Sequence, residues 1–439
     1  EEARVQYEKI LNDSPSETMG IYAYVRLAAL SEQKLQQNRE AIKYFMGLKE
    51  KYPAAKEARQ ASLELARLFE KVNEPREAVR RYLDFSMGGS GKLEIQAMTN
   101  SAVLLEELGE REQAAEVFFR LSQTMQGAKA PAKDVASAYE AGCNNVLLSS
   151  HQNREKRILM KIQECANRLT AQGNQPVLWQ ARAAWAMDQS ADSLQAENGW
   201  RKLAGRSLKA TPEAERAYVA MAKLRVLEKS LVDFREIRFT RTNEKPEANI
   251  GNKTKALEEI ERLSETLMKI GTPKQIVSAK NVVRLAYLEF AEAMETAAVP
   301  SKLSDAEKEE LKKSFQTFGK EFRERAASLE VKEEGGRAIA SIEAPKADQL
   351  KMPSLSREES NWIENGAVPQ DKAAELFAKK AFSLYRDGKF GEARYFSEKW
   401  KKQVGALAAG QPFGTAELEL FQAMLSEKLP DLDPVSRDF

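Results

Sequence analysis

Residues able to do covalent or metal chemistry are sparse in this 439-residue chain. It holds one histidine, His151, in the turn-like segment SSHQNRE. A zinc site needs several nitrogen or sulfur ligands converging, and a nucleophile–histidine–acid triad needs an oriented imidazole; a lone turn histidine reads as solvated. The two cysteines, Cys143 and Cys165, fall on consecutive antiparallel helices joined near Ser149–Asn153. Counted from Gln152 they lie nine and thirteen residues away, an axial offset of about 6 Å. A disulfide needs Cα atoms within roughly 7 Å, a limit that this offset added to the separation of the helices exceeds, so the expectation is two buried, reduced thiols, which leaves the redox compartment unread. No GxxxxGK[ST] is present, and no GxGxxG follows a strand pattern, so no phosphate cradle is visible. MGGSG at 87–91 follows a helix and reads as a linker. The acidic runs EEIERLSE and DAEKEELKK interleave Lys and Arg at helical spacing, the pattern of solvated faces with i,i+4 pairs. No catalytic, metal-binding or cofactor-binding residue is expected.

Binding chemistry has more to work with. Trp179, Trp185 and Trp200 cluster in one region and read as core fillers. Phe234–Arg241 mixes Arg235, Arg238 and Arg241 with Phe234 and Phe239, a mixture that nucleic acid or anionic headgroups could use.

The elements that would position a binding surface come from a repeat. Ala41, Ala78 and Ala114 sit at equivalent places 37 and 36 residues apart, each followed four residues later by Phe45, Tyr82 or Phe118. Leu65-Ala66 and Ser101-Ala102 stand thirteen residues before the second and third alanines, and Leu27-Ala28 fourteen before the first. A turn residue lies between, read as Asn38, Asn73 or Gly109, and Pro53 closes the first unit. This resembles the tetratricopeptide repeat (TPR), two helices that pack a small residue against a neighbouring aromatic. One such unit cannot bury its apolar stripe alone, so the units should stack. The expected fold is an all-α, TPR-like helical-repeat superhelix (α-solenoid) with a degenerate middle and a C-terminal helical region.

In that arrangement the first helix of each unit lines a concave face. Its inward positions hold Tyr22, Val25, Arg26 and Ala29, then Gln60, Leu63, Glu64 and Arg67, then Gln96, Thr99, Asn100 and Val103. The candidate partner-binding residues are Tyr22, Arg26, Gln60, Glu64, Arg67, Gln96 and Asn100, with Arg26, Arg67 and Asn100 as donors to a peptide backbone or carboxylate. The set differs from the Lys/Asn/Arg clamp of chaperone-binding TPR domains.

The expected organisation is TPR-like repeats at 1–125, degenerate helical repeats at 126–235, a further helical region at 236–332, a linker at 333–355 and C-terminal TPR-like helices at 356–439. Thr211-Pro212 and Thr272-Pro273 read as helix starts, and Ser304/Glu307 and Ser356/Glu359 as capping boxes. Lys plus Arg number 68 against 66 Asp plus Glu, a balance unlike that of a dedicated nucleic-acid binder. No apolar run approaches the ~20 residues that cross a bilayer. The chain opens EEARVQYEKILND, without Met and already helical, as expected of a mature or trimmed protein whose signal peptide or anchor lies outside it.

Residues 224–329 add a narrower likeness. A helix led by Lys253, then Tyr287 with Phe290-Ala291, then Val299-Pro300 with Leu303, then a long charged helix, resemble the C-terminal half of large envelope-associated TPR proteins of myxobacteria and predatory relatives such as Bdellovibrio. Ala298 replaces the proline usual in that family's turn. The resemblance implies a place in the periplasm or envelope, with some members belonging to gliding-motility machinery, and it implies that Phe234, Ile237 and Phe239 pack their segment against neighbouring helices; the repeats themselves point to a non-catalytic protein–protein scaffold. Two alternatives stand beside it: a cytoplasmic TPR adaptor or regulator that binds a peptide or signalling protein, and a repeat-framed envelope glycan-binding protein or hydrolase. The partner is expected to be protein or peptide rather than nucleic acid, with no transmembrane segment in the chain.

Overall fold

The computed structural model describes residues 2–329, 353–404 and parts of 418–425, apart from short gaps at 14, 34–35, 88, 151–154, 174, 191–192, 213–214, 238–245, 298 and 300–302. The sequence-predicted linker at 333–355 lies almost wholly outside the described residues. The first eight helices are α1 (Glu2–Asn12), α2 (Glu17–Gln33), α3 (Asn38–Lys51), α4 (Lys56–Lys71), α5 (Pro75–Ser86), α6 (Lys92–Glu107), α7 (Arg111–Gly127) and α8 (Ala132–Ser149). The next seven are α9 (Lys156–Ala171), α10 (Pro176–Gln189), α11 (Ser193–Ala204), α12 (Arg216–Glu236), α13 (Pro246–Ile270), α14 (Pro273–Glu295) and α15 (Asp305–Ser328). The last three are α16 (Arg357–Asn365), α17 (Ala373–Arg386) and α18 (Phe390–Val404). No strand occurs among the described residues, and consecutive helices pack on one another in series from α1 to α8, from α9 to α15 and in α17 with α18, so the fold is an all-α helical-repeat solenoid. The chain divides into two compact units, one from residues 1–152 with 340–431, the other chiefly from 153–339.

The first unit is built from hairpins whose small residues allow close approach. Ala28, Ala41, Ala66, Ala78, Ala102 and Ala114 are all fully buried, and Phe45, Tyr82 and Phe118 pack beside them. In α4, Ala58, Ala61, Ser62, Leu65, Ala66, Leu68 and Phe69 form the buried stripe of an amphipathic helix. Each hairpin turn places one residue in the left-handed region five positions before its alanine: Gln36, Asn73 and Gly109, with φ of 53°, 60° and 74°. The first of these corrects the sequence reading. Asn38 opens α3 rather than making the turn, because the turn keeps its five-residue distance from the alanine and the extra residue between Leu27 and Ala41 falls before it.

The same device recurs at Gly388 (φ 73°), five positions before the buried Ala393, so α17 and α18 form an equivalent hairpin near the other end of the chain. That hairpin shares one hydrophobic core with the N-terminal repeats, contributing Leu376, Phe377, Phe382, Tyr395 and Trp400, backed by Phe421. A helix leaves its last carbonyls without intrahelical partners. Those of α16 are met from the N-terminal hairpins: Asn73 Nδ2 donates to the Ile363 carbonyl (2.6 Å), Arg39 Nε to Glu364 (3.1 Å) and Asn38 Nδ2 to Asn365 (2.7 Å). Gly366, which ends α16 at φ 67°, lies against the Lys71 backbone carbonyl.

In the second unit, α9 packs on α10, α10 on α11, and α12, α13 and α14 on one another, with α15 on α14. Trp179, Trp185 and Trp200 are buried, the first completely. The capping boxes at Thr272/Gln275 and Ser304/Glu307, and that at Ser356/Glu359 in the first unit, form with both reciprocal bonds. Thr211 is not the N-cap of α12. Its hydroxyl donates to the Ser207 carbonyl (2.9 Å), closing a 3-10 turn at Leu208–Ala210, and α12 starts only at Arg216. The following helix begins at Pro246, a residue well suited to a first turn.

The expectation of reduced thiols is overturned: Cys143 and Cys165 are fully buried and both are disulfide-bonded. The expectation counted from Gln152, whereas the helices end at Ser149 and begin at Lys156. The cysteines lie six (149 − 143) and nine (165 − 156) residues from those ends. Counted from those ends the two depths differ by three residues (9 − 6), where the count from Gln152 gave four (13 − 9).

Candidate functional site

In the first unit, α2, α4 and α6 are the leading helices of the three hairpins, and they carry the residues singled out from sequence. Two depressions open among them. The first, about 490 Å³, lies along α2 and α4 with Val25, Ala29, Phe45 and Ala61 in its apolar lining. Gln60, Glu64 and Arg67 stand around it with Glu32 and Lys56. Arg67 Nη1 donates to Glu64 Oε2 (2.8 Å), its Nη2 is 3.8 Å from Glu32 Oε1, and Glu32 also receives the Lys71 ammonium.

The second depression, about 650 Å³, lies between α4 and α6 and the C-terminal α17 and α18. Arg67 borders this one too, together with Asn100 and Val103 of α6 and Phe377, Tyr395, Lys399 and Lys402 of the C-terminal hairpin. The Tyr82 hydroxyl donates to Glu70 Oε1; burial first, then that carboxylate, pushes the Tyr82 phenol above its ordinary range. Burial likewise raises Tyr395, helped by the nearby Glu70 and Glu107 carboxylates. Lys399 is pushed the other way, downward, because burial disfavours its charge more than Glu70 and Glu107 favour it. Its Nζ donates to Asn73 Oδ1 (2.8 Å) and lies 5.0 Å from the Tyr395 ring centre. Burial raises Glu107 despite Lys402, whose Nζ is 3.5 Å from Glu107 Oε1.

Of the seven residues proposed from sequence, the structure brings Gln60, Glu64, Arg67 and Asn100 to these depressions, with Arg67 common to both. Tyr22, Arg26 and Gln96 line neither. Arg26 lies over the Tyr22 ring (5.0 Å), and Tyr22 meets the edge of Tyr7 from α1 (6.1 Å, 64°). Residues 70, 82, 107, 377, 395, 399 and 402 were missed. Glu70 and Glu107 close their helices one turn beyond the inward positions counted, and the C-terminal residues are 270 or more positions away in sequence (377 − 107). The one usable signal was the small-residue pattern of α17 and α18, which matches that of the N-terminal hairpins.

The residues that carry the narrower resemblance have visible structural tasks in the second unit. Lys253, 2% exposed, donates to the Phe234 (3.2 Å) and Ile237 (2.8 Å) carbonyls at the end of α12 and sits 4.4 Å from the Phe234 ring centre. Phe234 stacks with Phe290 (6.4 Å), Phe290 meets Phe322 (4.5 Å), and the Tyr287 hydroxyl donates to Glu261 Oε1 (2.6 Å). Arg235 pairs with Glu289 (3.2 Å). Arg238, Phe239 and Arg241 lie outside the described residues, as does His151.

No protein-family model matches the chain, and no curated protein matches it. Among solved structures, one described as a circular tandem repeat protein with novel repeat topology and enhanced subunit contact surfaces aligns over 97% of this chain and 90% of that chain. The identity is 10% and the TM-score 0.19, so the likeness carries no argument about binding or assembly. Among the described residues, no group of three or more His, Cys, Asp or Glu is placed to hold a metal ion, and no helix is long and apolar enough to cross a membrane.

Proposed function

We propose that this protein is a non-catalytic, TPR-type scaffold that holds a protein or peptide segment on the face formed by α2, α4 and α6. The supporting observation is the pair of adjoining depressions bordered by one residue, Arg67, on helices fixed by a common core. A preformed groove of this kind avoids the entropic cost of ordering on binding. The residues around it mix apolar floor with donors and acceptors, which suits a polypeptide better than a nucleic acid. The buried tryptophans of the second unit offer no exposed stacking platform of the sort a glycan would need.

The proposed setting is the bacterial envelope, in a periplasmic assembly of the motility-associated kind. Two features support it: the resemblance across 224–329, and the disulfide-bonded cysteines, a state that persists mainly in oxidising compartments. A photo-crosslinking residue placed in turn at Gln60, at Asn100 and at the exposed Met160 of the second unit tests both parts in living cells. The expected result is a shared polypeptide adduct at the first two positions and not the third, recovered from the periplasmic or membrane fraction. Equal adducts at all three would reject the face, and recovery from the cytoplasm would reject the envelope placement and favour an adaptor there.

A further inference from the structure

The second depression has a chemical bias that the first lacks. Its bordering charges are Arg67, Lys71, Lys399 and Lys402 against Glu70 and Glu107, four cations to two carboxylates. Three of those cations have carboxylate partners: Arg67 with Glu64, Lys71 with Glu32 and Lys402 with Glu107. Glu70 is engaged by the Tyr82 hydroxyl. Lys399 is different. Among the described residues its ammonium has no carboxylate within 4.0 Å and a single hydrogen bond, to Asn73, so donors remain for a ligand. Beside it, Tyr395 is 2% exposed, and among the described residues its hydroxyl has no hydrogen-bond partner. Phe377 and Val103 supply apolar surface next to these donors.

We propose that this cavity binds a ligand with an apolar body and a carboxylate, the carboxylate taken by Lys399 and Tyr395. A carboxylate accepts charge-assisted hydrogen bonds, which are stronger than neutral ones, and it would supply the counter-charge that Lys399 lacks. Burial lowers the Lys399 pKa, and a bound carboxylate would raise it again. The chemistry is shared by a free carboxylic acid and by the C-terminus of a polypeptide. The inference rests on the reading of this face as a binding surface, yet the two fail separately. Crosslinks from Gln60 without acid binding would remove only the carboxylate site; acid binding without crosslinks would remove only the protein scaffold.

The test titrates the full chain with 3-phenylpropionate, its amide, the peptide acetyl-Leu-Phe with a free C-terminus, and the same peptide amidated, followed by ligand-observed NMR. At least one acid is expected to bind at least tenfold more tightly than its amide, and that preference should vanish in Lys399→Met, survive in Lys399→Arg and weaken in Tyr395→Phe. Binding of phenylpropionate alone identifies a small acid as the occupant, and binding of the peptide alone a polypeptide terminus. On the unsubstituted protein, the NMR resonance of dimethylated Lys399 should titrate at higher pH with the acid than with the amide, which keeps the test valid if Lys399→Met misfolds. Equal binding of acid and amide, an acid preference unchanged in a folded Lys399→Met, or no binding by either acid would overturn the proposal.

Discussion

Gly366→Ala should loosen the C-terminal helices from the N-terminal hairpins, and the structure supplies its own control. Gly366 holds φ 67°, a conformation that costs an L-residue about 1–2 kcal/mol. A Cβ there would also lie 2.7 Å from the Lys71 carbonyl carbon, and closer still to its oxygen. That neighbour is backbone, so relief requires moving the end of α16 as a whole. The carbonyls of Ile363, Glu364 and Asn365 would then lose their donors Asn73, Arg39 and Asn38, at about 1 kcal/mol each. The expected total is roughly 4–5 kcal/mol. Gly388 has nearly the same φ, 73°, and a methyl group added to it would meet nothing within 4 Å, so Gly388→Ala should cost only the conformational part. Urea melts followed by circular dichroism would read the two losses. Hydrogen exchange across α16–α18 would show whether the extra loss in Gly366→Ala is local. Equal destabilisation by the two variants, or exchange in α16–α18 unchanged by the first, would refute the reasoning.

Lys253→Met removes the ammonium that satisfies the Phe234 and Ile237 carbonyls and should destabilise the second unit by about 2–3 kcal/mol, read as a lower melting temperature. Glu359 accepts the Ser356 N–H (2.7 Å) and the Lys379 ammonium (2.9 Å), which hold its carboxyl below the ordinary 4.5. A group with a depressed folded pKa stabilises above its unfolded value and loses that contribution as pH falls through the folded one. Acidification from about pH 6 to about pH 3 should therefore cost the parent more stability than Glu359→Gln, and equal losses would remove this carboxylate from the account. Iodoacetamide under non-reducing denaturing conditions should label neither Cys143 nor Cys165, while prior reduction should expose both to mass spectrometry.

The repeated helices were legible because their signals are local. An alanine with an aromatic four positions later, a left-handed turn residue five positions before, and a capping box each depend on a few neighbouring residues. Half of the candidate site was legible for the same reason: Gln60, Glu64, Arg67 and Asn100 follow from helix phase alone. The other half was not. Asn38 and Asn73 look like turn residues and act as donors to α16, and nothing near Lys399 in the sequence announces Asn73 or Glu70. Tyr22 and Arg26 sat on the right face, but α1 meets that end of it through Tyr7, a contact that helix phase does not encode. The disulfide was missed because its feasibility turned on where two helices stop, to within three residues.

The core shared by the N-terminal repeats and the α17–α18 hairpin also sets a timetable for synthesis. Asn73 must wait for Ile363, 290 positions later, which at ~5–20 residues per second is a delay of roughly 15–60 s on the ribosome. Throughout that interval the apolar surface meant for Phe377 and Trp400 has no native cover, while the intervening residues 153–339 emerge complete. A premature stop between residue 339 and the start of α17 would yield a product with residues 153–339 of its second unit present and the shared core of its first unit open.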